Sequence, residues 1–223
     1  MEKKTKLGIF YNAKGAGGKF LSDIIKELSK VYDLKIFEIN NYYEVEKGME
    51  MVEVCWFEWC DSLLQFASRL AIARDKKIVT RLHRYEVFTS FPAMTNWNNI
   101  DGLILVTNHL RHLLPTHLPS KVEIRIIENG VDIDKFTYKE RKKGYNIGFI
   151  ADLIPRKNPI LLLQIIDRLV KIDKRYKLFV AGAFKDELIK LYWDYTIDEL
   201  NLKENVIFDG WQTNINEWLE DKN

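Results

Sequence analysis

The sequence has few cysteines, little net charge and no long apolar run. Cys55 and Cys60 are its only cysteines, and their spacing is not the C-x-x-C of a redox or zinc pair, so we expect a reducing, cytoplasmic setting. A formal net charge of +2 argues against a dedicated nucleic-acid binder. No run approaches the roughly 18 apolar residues of a membrane span, and the N-terminal residues lack the apolar core of a signal peptide.

A glycine-rich stretch, YNAKGAGGKFL (11–21), completes neither familiar phosphate-binding motif. A P-loop requires Gly-Lys-Ser/Thr, but Phe20 follows Gly18 and Lys19. The dinucleotide fingerprint requires a glycine two positions after Gly18, where Phe20 again stands. The stretch is interpreted as a strand-to-helix turn, and its role depends on the rest of the chain.

Short β-type runs alternate with amphipathic helical patterns along the chain. Strands are predicted at 6–11, 34–39, 53–59, 77–83, 102–107, 122–127, 145–150, 177–182 and 205–210. Helices are predicted at 19–31, 61–75, 109–115, 159–173, 185–200 and 213–220. Such alternation predicts parallel βαβ units and therefore an α/β protein with doubly wound sheets.

A charged segment interrupts this pattern and divides the chain into two predicted domains. We expect an N-terminal Rossmann-like domain at 1–137, a linker at 138–144 and a second Rossmann-like domain at 145–223. Three strands are few for a doubly wound domain. We therefore expect either that the natural chain continues beyond Asn223 or that it is truncated.

The start of the helix predicted at 159–173 is a candidate anion site. Asn158 is a favoured N-cap and Pro159 is favoured at the first helical position. The helix follows a strand, so its positive end lies at the sheet edge where α/β proteins bind ligands. Because Arg156 and Lys157 directly precede the cap, a phosphate or diphosphate is the natural ligand. The alternative is a solvated basic turn.

Four segments, in this order, carry a resemblance to a known family: IENGVDIDKF (127–136), IGFIADLIPRKNPILLLQIIDRL (147–169), KLFVAG (177–182) and NVIFDGW (205–211). Their order and spacing are similar to those of the retaining glycosyltransferases with the GT-B fold (glycosyl transferases group 1). The resemblance implies transfer of a sugar from a nucleotide-sugar donor to a carbohydrate or lipid-linked acceptor, with retention and without a metal or other cofactor. It also implies glycan biosynthesis as the setting and allows peripheral membrane association.

Carried over residue by residue, the resemblance places the family's diphosphate-binding lysine at Lys157. The family's arginine falls on Asp152, an acid that would repel a diphosphate, so either Arg156 substitutes for it or donor binding is altered. The turn containing Gly15, Gly17 and Gly18 corresponds to a loop that lines the family's cleft, although it could also be an ordinary βα turn.

The family's cleft histidine falls on His83 in RLHRYE (81–86), which makes His83 the catalytic candidate near the acceptor and the reacting sugar. A lone histidine at a strand end is otherwise most often structural. Arg81, Arg84 and Glu86 could orient an acceptor or face solvent. Another set of histidines is interpreted as surface residues: His109, His112 and His117.

Two acidic features bear on chemistry. Asp132 and Asp134 form an Asp-x-Asp pattern, which here favours a structural turn over a metal site.

The family's two donor-binding glutamates, seven residues apart, have no counterpart, since neither Glu217 nor Glu220 has the right context. The chain alone could therefore be inactive, and the alternative function is a non-catalytic GT-B remnant that binds a nucleotide or a partner.

The short second domain also has a consequence for association. With three strands, we expect part of its apolar surface to be uncovered on the face that carries Trp211 and Trp218. Exposed patches of more than a few hundred Å2 drive association, so a homodimer is predicted.

Overall fold

The computed structural model describes residues 3–13, 21–114 and 118–223. The chain divides into two compact units, Met1–Gly130 and Val131–Asn223. The segment predicted as a linker, 138–144, belongs to the second unit. Each unit contains one parallel sheet, as the alternating pattern predicts.

The first unit has a six-stranded sheet in the order β2-β1-β3-β4-β5-β6. Its strands are β1 (Lys6–Asn12), β2 (Asp33–Ile39), β3 (Val54–Glu58), β4 (Lys77–Leu82), β5 (Gly102–Leu105) and β6 (Glu123–Ile126). All neighbouring strands pair in parallel. The strand order reverses between β1 and β3, and ligands of open α/β sheets bind at the carboxyl edge beside such a reversal.

The helices of the first unit differ from prediction in four places. They are α1 (Ser22–Val31), α2 (Tyr43–Glu50), α3 (Ser62–Ala67) and α4 (Phe91–Met94), with 3-10 turns at Ala71–Asp75, Glu86–Phe88, Trp97–Asn99 and Asn108–Leu113. Helices α2 and α4 were not predicted. The helix predicted at 61–75 is wrong in length, because α3 ends at Ala67 and a 3-10 turn follows. The helix predicted at 109–115 is a 3-10 turn.

The sheet of the first unit is covered on both faces. Helix α1 lies against a cluster that contains Ile9, Tyr11 and Leu21. Helices α2 and α3 pack on the opposite face around Phe10, whose ring stacks on Phe37 and Phe57 at centroid distances of 4.6 and 4.8 Å. Adjacent residues of β1 therefore enter different cores, which explains why this strand is an apolar run without alternation.

The second unit has a three-stranded sheet in the order β7-β8-β9. Its elements are β7 (Asn146–Ile150), α5 (Pro159–Ile172), β8 (Lys177–Ala181), α6 (Glu187–Glu199), β9 (Val206–Gly210) and α7 (Ile215–Trp218), with 3-10 turns at Ile133–Lys135 and Pro155–Lys157. Helix α5 buries Leu163 and Ile166, whereas Ile165 is 48% exposed. Leu162 and Leu169 of the same helix are partly buried and pack against this core.

The C-terminal residues cover part of the second sheet. Trp218 is buried, packs over Gly148 and donates from Nε1 to Asp209 Oδ2 at 2.8 Å. The backbone N–H of Asn223 donates to the carbonyl of Asn146 at 2.7 Å. The prediction that Trp218 lies on an uncovered face is therefore wrong, although Trp211 is 67% exposed.

Candidate functional site

A buried ion pair lies at the carboxyl edge of the first sheet. Glu58 ends β3 and is directly opposite Arg81 on the neighbouring strand β4. Arg81 Nε donates to Glu58 Oε1 at 2.9 Å, and its Nη2 lies 2.8 Å from the same oxygen. Both residues are buried. The alternative that Arg81 faces solvent is therefore wrong.

His83 joins this pair just after β4. Its Nε2 lies 2.9 Å from Glu58 Oε1, and its side chain is 17% exposed. Because a carboxylate paired with arginine accepts hydrogen bonds, Nε2 is the nitrogen of the ring that donates to Glu58. The carboxylate thereby sets the tautomer and orientation of the imidazole, as a hydrogen-bonded carboxylate does for the histidines of many functional sites.

Glu86 lies beside this group and is fully buried. Its Oε2 accepts a hydrogen bond from the backbone N–H of His83 at 2.6 Å. Burial raises the pKa of Glu86 to about 8, and the nearby Asp61 and Glu58 contribute in the same direction, while hydrogen bonds from backbone N–H groups oppose them. At neutral pH this carboxyl is mostly protonated. Arg84, by contrast, is exposed.

A strained turn connects β3 to α3. Trp59 has φ of 75°, an unfavourable conformation for a bulky residue, and its ring centroid lies 6.2 Å from that of His83. Asp61 caps α3 by accepting from the N–H of Leu63 at 2.8 Å. The turn also directs Cys60 into the core cluster that holds Cys55.

Sequence reasoning did not identify Glu58. The available signal was an acid at the end of an apolar strand in VCWFE (54–58), which is costly to bury without a partner. The predicted loop residues Gly15, Gly17 and Gly18 lie outside the described residues, as does His117. His109 and His112 are exposed, as predicted.

The carboxyl edge of the second sheet contains a cavity of about 330 Å3. Its lining includes Asp152, Gly182 and Trp211. Gly182 has φ of 154°, and a Cβ at this position would lie 1.8 Å from the carbonyl oxygen of Ala151. Only glycine therefore lets the chains that follow β7 and β8 approach each other. Lys185 Nζ lies 3.7 Å from Asp152 Oδ1.

Helix α5 begins with Pro159 at its first position and Asn158 as N-cap, as predicted. Asn158 has φ of 52°, and its side chain makes no capping hydrogen bond, so the amides of the first turn are not occupied by the cap. Arg156 and Lys157 lie in the preceding 3-10 turn and are exposed. Neither forms an ion pair with another residue that the structure describes.

The Asp132-x-Asp134 pattern forms a turn. Asp132 Oδ1 accepts from the N–H of Asp134 at 3.1 Å and caps the 3-10 turn Ile133–Lys135. Over the described ranges, no group of three or more His, Cys, Asp or Glu residues is arranged to hold a metal ion. In the same ranges, no helix is long and apolar enough to cross a membrane.

No family model matches this sequence. One curated relative is the poly(ribitol-phosphate) alpha-N-acetylglucosaminyltransferase of Staphylococcus aureus (strain COL), which is 28% identical over 128 residues. The matched region is 56% of this chain and 24% of the relative. The chain thus spans about a quarter of the length of that enzyme.

Solved structures cover more of the chain. Anabaena Alr3699/HepE in complex with UDP matches 96% of this chain and 71% of its own, with a TM-score of 0.69 and 15% identity. The match to the lipopolysaccharide outer core galactosyltransferase WaaB covers 97% of this chain and 71% of WaaB, with a TM-score of 0.66 and 14% identity. The match to TarM covers 81% of this chain and 37% of TarM, with a TM-score of 0.62 and 20% identity. The chain therefore has the GT-B fold of glycosyltransferases.

Proposed function

We propose that this chain carries out, or forms part of an enzyme that carries out, transfer of a sugar from a nucleotide-sugar donor to a carbohydrate or lipid-linked acceptor. The observation that carries the proposal is the carboxyl edge of the second sheet. There the cavity beside Asp152 lies at the end of β7, and the chain continues through Arg156 and Lys157 into the uncapped start of α5. The fold and the relationship to an N-acetylglucosaminyltransferase support the same function.

The proposed donor site binds a diphosphate through positive charge. The amides and dipole of the first turn of α5 attract an anion, and Arg156 and Lys157 add charge-assisted hydrogen bonds. Asp152 opposes an anion, but Lys185 at 3.7 Å offsets its charge. This neighbour reduces the repulsion that the sequence led us to expect. The exposed indole of Trp211 offers a stacking surface for the base.

In the proposed reaction, the bond between the anomeric carbon and the diphosphate oxygen breaks, and its electron pair leaves with the nucleoside diphosphate. Lys157, Arg156 and the start of α5 stabilise the charge that develops there, which is usually the largest electrostatic contribution in such chemistry. The acceptor hydroxyl forms the new bond and loses its proton. Retention of configuration follows from the family resemblance alone.

His83 is the proposed catalytic residue of the first unit. Its ring is oriented by Glu58, and its backbone N–H is bonded to Glu86, so the imidazole is held before a substrate arrives. Such a ring can hydrogen-bond a reacting sugar or accept a proton. The glycine turn at Gly15, Gly17 and Gly18 is proposed to contact the same substrates.

The setting of the reaction is also part of the proposal. Both cysteines are free thiols buried in the core, which supports a reducing, cytoplasmic compartment. A lipid-linked acceptor would place the enzyme peripherally at a membrane. A homodimer stays a prediction, supported by the exposure of Trp211 but no longer by Trp218.

Calorimetric titration with UDP tests the donor site without requiring turnover. Lys157→Ala should weaken UDP binding about tenfold, which corresponds to about 1.4 kcal/mol. Lys174→Ala is the matched control, because Lys174 is exposed and precedes β8 at the amino edge of the same sheet. Equal UDP affinity in wild type and Lys157→Ala would place the donor elsewhere and remove the main support for this function.

A further inference from the structure

We propose that the outer faces of α5 and α6 form a surface through which two copies of this chain associate. In this twofold dimer, α5 of one copy packs against α6 of the other. The structure describes every residue of the second unit, to which both helices belong. The association does not depend on the proposed glycosyltransferase function.

Helices α5 and α6 lie side by side on one face of the second sheet. Each connects two strands that pair in parallel, and because such crossovers are right-handed, both helices lie on the same side of the sheet. Leu163 and Ile166 of α5 share a core cluster with Trp193 of α6. The residues on the opposite side of each helix therefore point outward, away from the sheet.

Large apolar side chains follow the outward side of both helices at helical spacing. Their exposed fractions lie between 47% and 79%: Leu161, Ile165 and Ile172 on α5, and Leu188, Leu191, Tyr192 and Tyr195 on α6. Since a fully exposed side chain of this size presents about 200 Å2, together they expose roughly 800 Å2. The largest apolar patch of a typical monomer is about 300–600 Å2. A stable interface buries about 800 Å2 per partner, so this face is large enough for a dimer.

The charges on the outward side of one helix complement those on the other. Most of them are already paired with a neighbour: Lys171 with Asp167, Lys190 with Asp194 and Lys203 with Asp198. Within the described part of the chain, Arg168 on α5 has no ion-pair partner, and the same is true of Glu187 and Glu199 on α6. All three side chains are exposed. Packing α5 on α6 of a second copy brings these opposite charges together, whereas packing like helices on each other does not.

A groove on α5 receives an aromatic side chain of α6 in this arrangement. It has a volume of about 430 Å3, and its lining includes Leu161, Ile165, Arg168 and Leu200. Both helices begin at the carboxyl edge, so they run parallel in a dimer whose twofold axis lies along them. Tyr195, the ninth residue of α6, is then level with the seventh to tenth residues of α5, from Ile165 to Arg168. Tyrosine and arginine are residue types that are enriched at the energetic centres of interfaces.

Sedimentation equilibrium of the whole chain measures this association. Wild type should form a dimer, and Tyr195→Ala should weaken it at least tenfold, because the groove on α5 loses its occupant. Trp211→Ala is the control and should leave the dimer unchanged. Trp211 is 67% exposed but lies at the carboxyl edge of the sheet, outside this face. The homodimer predicted from the sequence is thereby assigned to a face other than the one that carries Trp211.

A charge exchange tests the pairing of α5 with α6. Glu199 is the thirteenth residue of α6 and Arg168 the tenth of α5, so they lie within about one turn of each other across the interface. Arg168→Glu and Glu199→Arg should each weaken the dimer, because each brings like charges together. The double variant restores opposite charges and should recover most of the affinity, which a folding defect in the single variants would not allow.

A wild-type chain that stays monomeric at its highest soluble concentration would overturn the proposal. A dimer that is unchanged by Tyr195→Ala, lost in Trp211→Ala or not recovered in the charge exchange would also overturn it. Binding of a monomeric chain to phosphatidylglycerol vesicles, abolished by Tyr195→Ala, would assign this face to a lipid surface and reject the dimer. UDP titration of the same samples is independent, since loss of UDP binding rejects the donor site and leaves the dimer interface standing.

Discussion

Glu58 and His83 are joined by a contact of 2.9 Å between Oε1 and Nε2, although 25 positions separate them in the sequence. The parallel pairing of β3 with β4 brings them to the same sheet edge. The same Glu58 oxygen also accepts from Arg81, so the acid is held by two donors. A fixed carboxylate of this kind determines which nitrogen of the imidazole carries its proton.

Glu58→Gln should turn a single tautomer of His83 into a mixture of two. The glutamine side chain can accept from Nε2–H through its oxygen or donate to an unprotonated Nε2 through its nitrogen, so both tautomers become accessible. In wild type, the neutral ring should be the Nε2–H form. Long-range 1H–15N spectra of histidine-labelled protein distinguish the two tautomers. The control is Glu27→Gln, which replaces an exposed acid that pairs with Lys30. An unchanged His83 tautomer in Glu58→Gln would show that Glu58 does not orient the ring.

Glu58→Ala should strongly reduce the free energy of unfolding. Removing the acid leaves Arg81 buried without its main counter-ion, and loss of one partner of a buried pair costs about 3–5 kcal/mol. Glu27→Ala, which removes a surface pair, should cost less than about 1 kcal/mol. Urea unfolding of both variants measures the difference. If both variants lose the same small amount of unfolding free energy, the ion pair of Glu58 with Arg81 does not stabilise the fold as a buried pair should.

Glu86 should make stability fall as pH rises. Its pKa is about 8 in the folded chain against an ordinary value of 4.5. Between these values the unfolded chain has released a proton that the folded chain keeps, so the free energy of unfolding decreases from about pH 4.5 to about pH 8 and then levels. Glu86→Gln should lose this contribution. Urea unfolding from pH 5 to 8.5 tests it, and a constant difference between wild type and variant would contradict it.

Gly182→Ala should destabilise the second unit. The added Cβ would meet the carbonyl oxygen of Ala151 at 1.8 Å, which forces the backbone to move at a cost of about 3 kcal/mol. Gly210→Ala is the control on the same sheet, because its φ is 70° but no atom lies within 4 Å of an added Cβ. That change should cost only about 1–2 kcal/mol. Thermal unfolding compares them, and equal losses would show that the close approach is not required.

The cysteines should be unreactive in the folded chain. Burial raises the pKa of Cys55 and of Cys60 to about 12, and the thiolate is the reactive form. Neither thiol should react with 5,5′-dithiobis(2-nitrobenzoate) at pH 8 until denaturant is added. Immediate reaction of one thiol under native conditions would contradict the burial of that residue.

Apolar runs such as KLGIFYN (6–12) made the strands predictable, because a strand buried on both faces is continuously hydrophobic. Helix α2 was missed because the charged residues in YEVEKGME (43–50) obscure its two buried apolar side chains, Val45 and Met49. The β-type run at 77–83 predicted the position of His83 at a strand end, and only its proposed role came from the family resemblance. Its partner Glu58 was not, since the pairing of β3 with β4 is a tertiary relationship that local patterns do not contain.

The central claim is that a nucleoside diphosphate binds at the carboxyl edge of the second sheet, beside Asp152 and the start of α5. The most direct test is the UDP affinity of Asp152→Asn relative to wild type, measured by calorimetry. Removing this acid eliminates a repulsive charge and releases Lys185 from its ion pair, so we predict tighter binding, by about threefold to tenfold. Unchanged or weaker UDP binding in Asp152→Asn would contradict the assignment of the donor site to this edge.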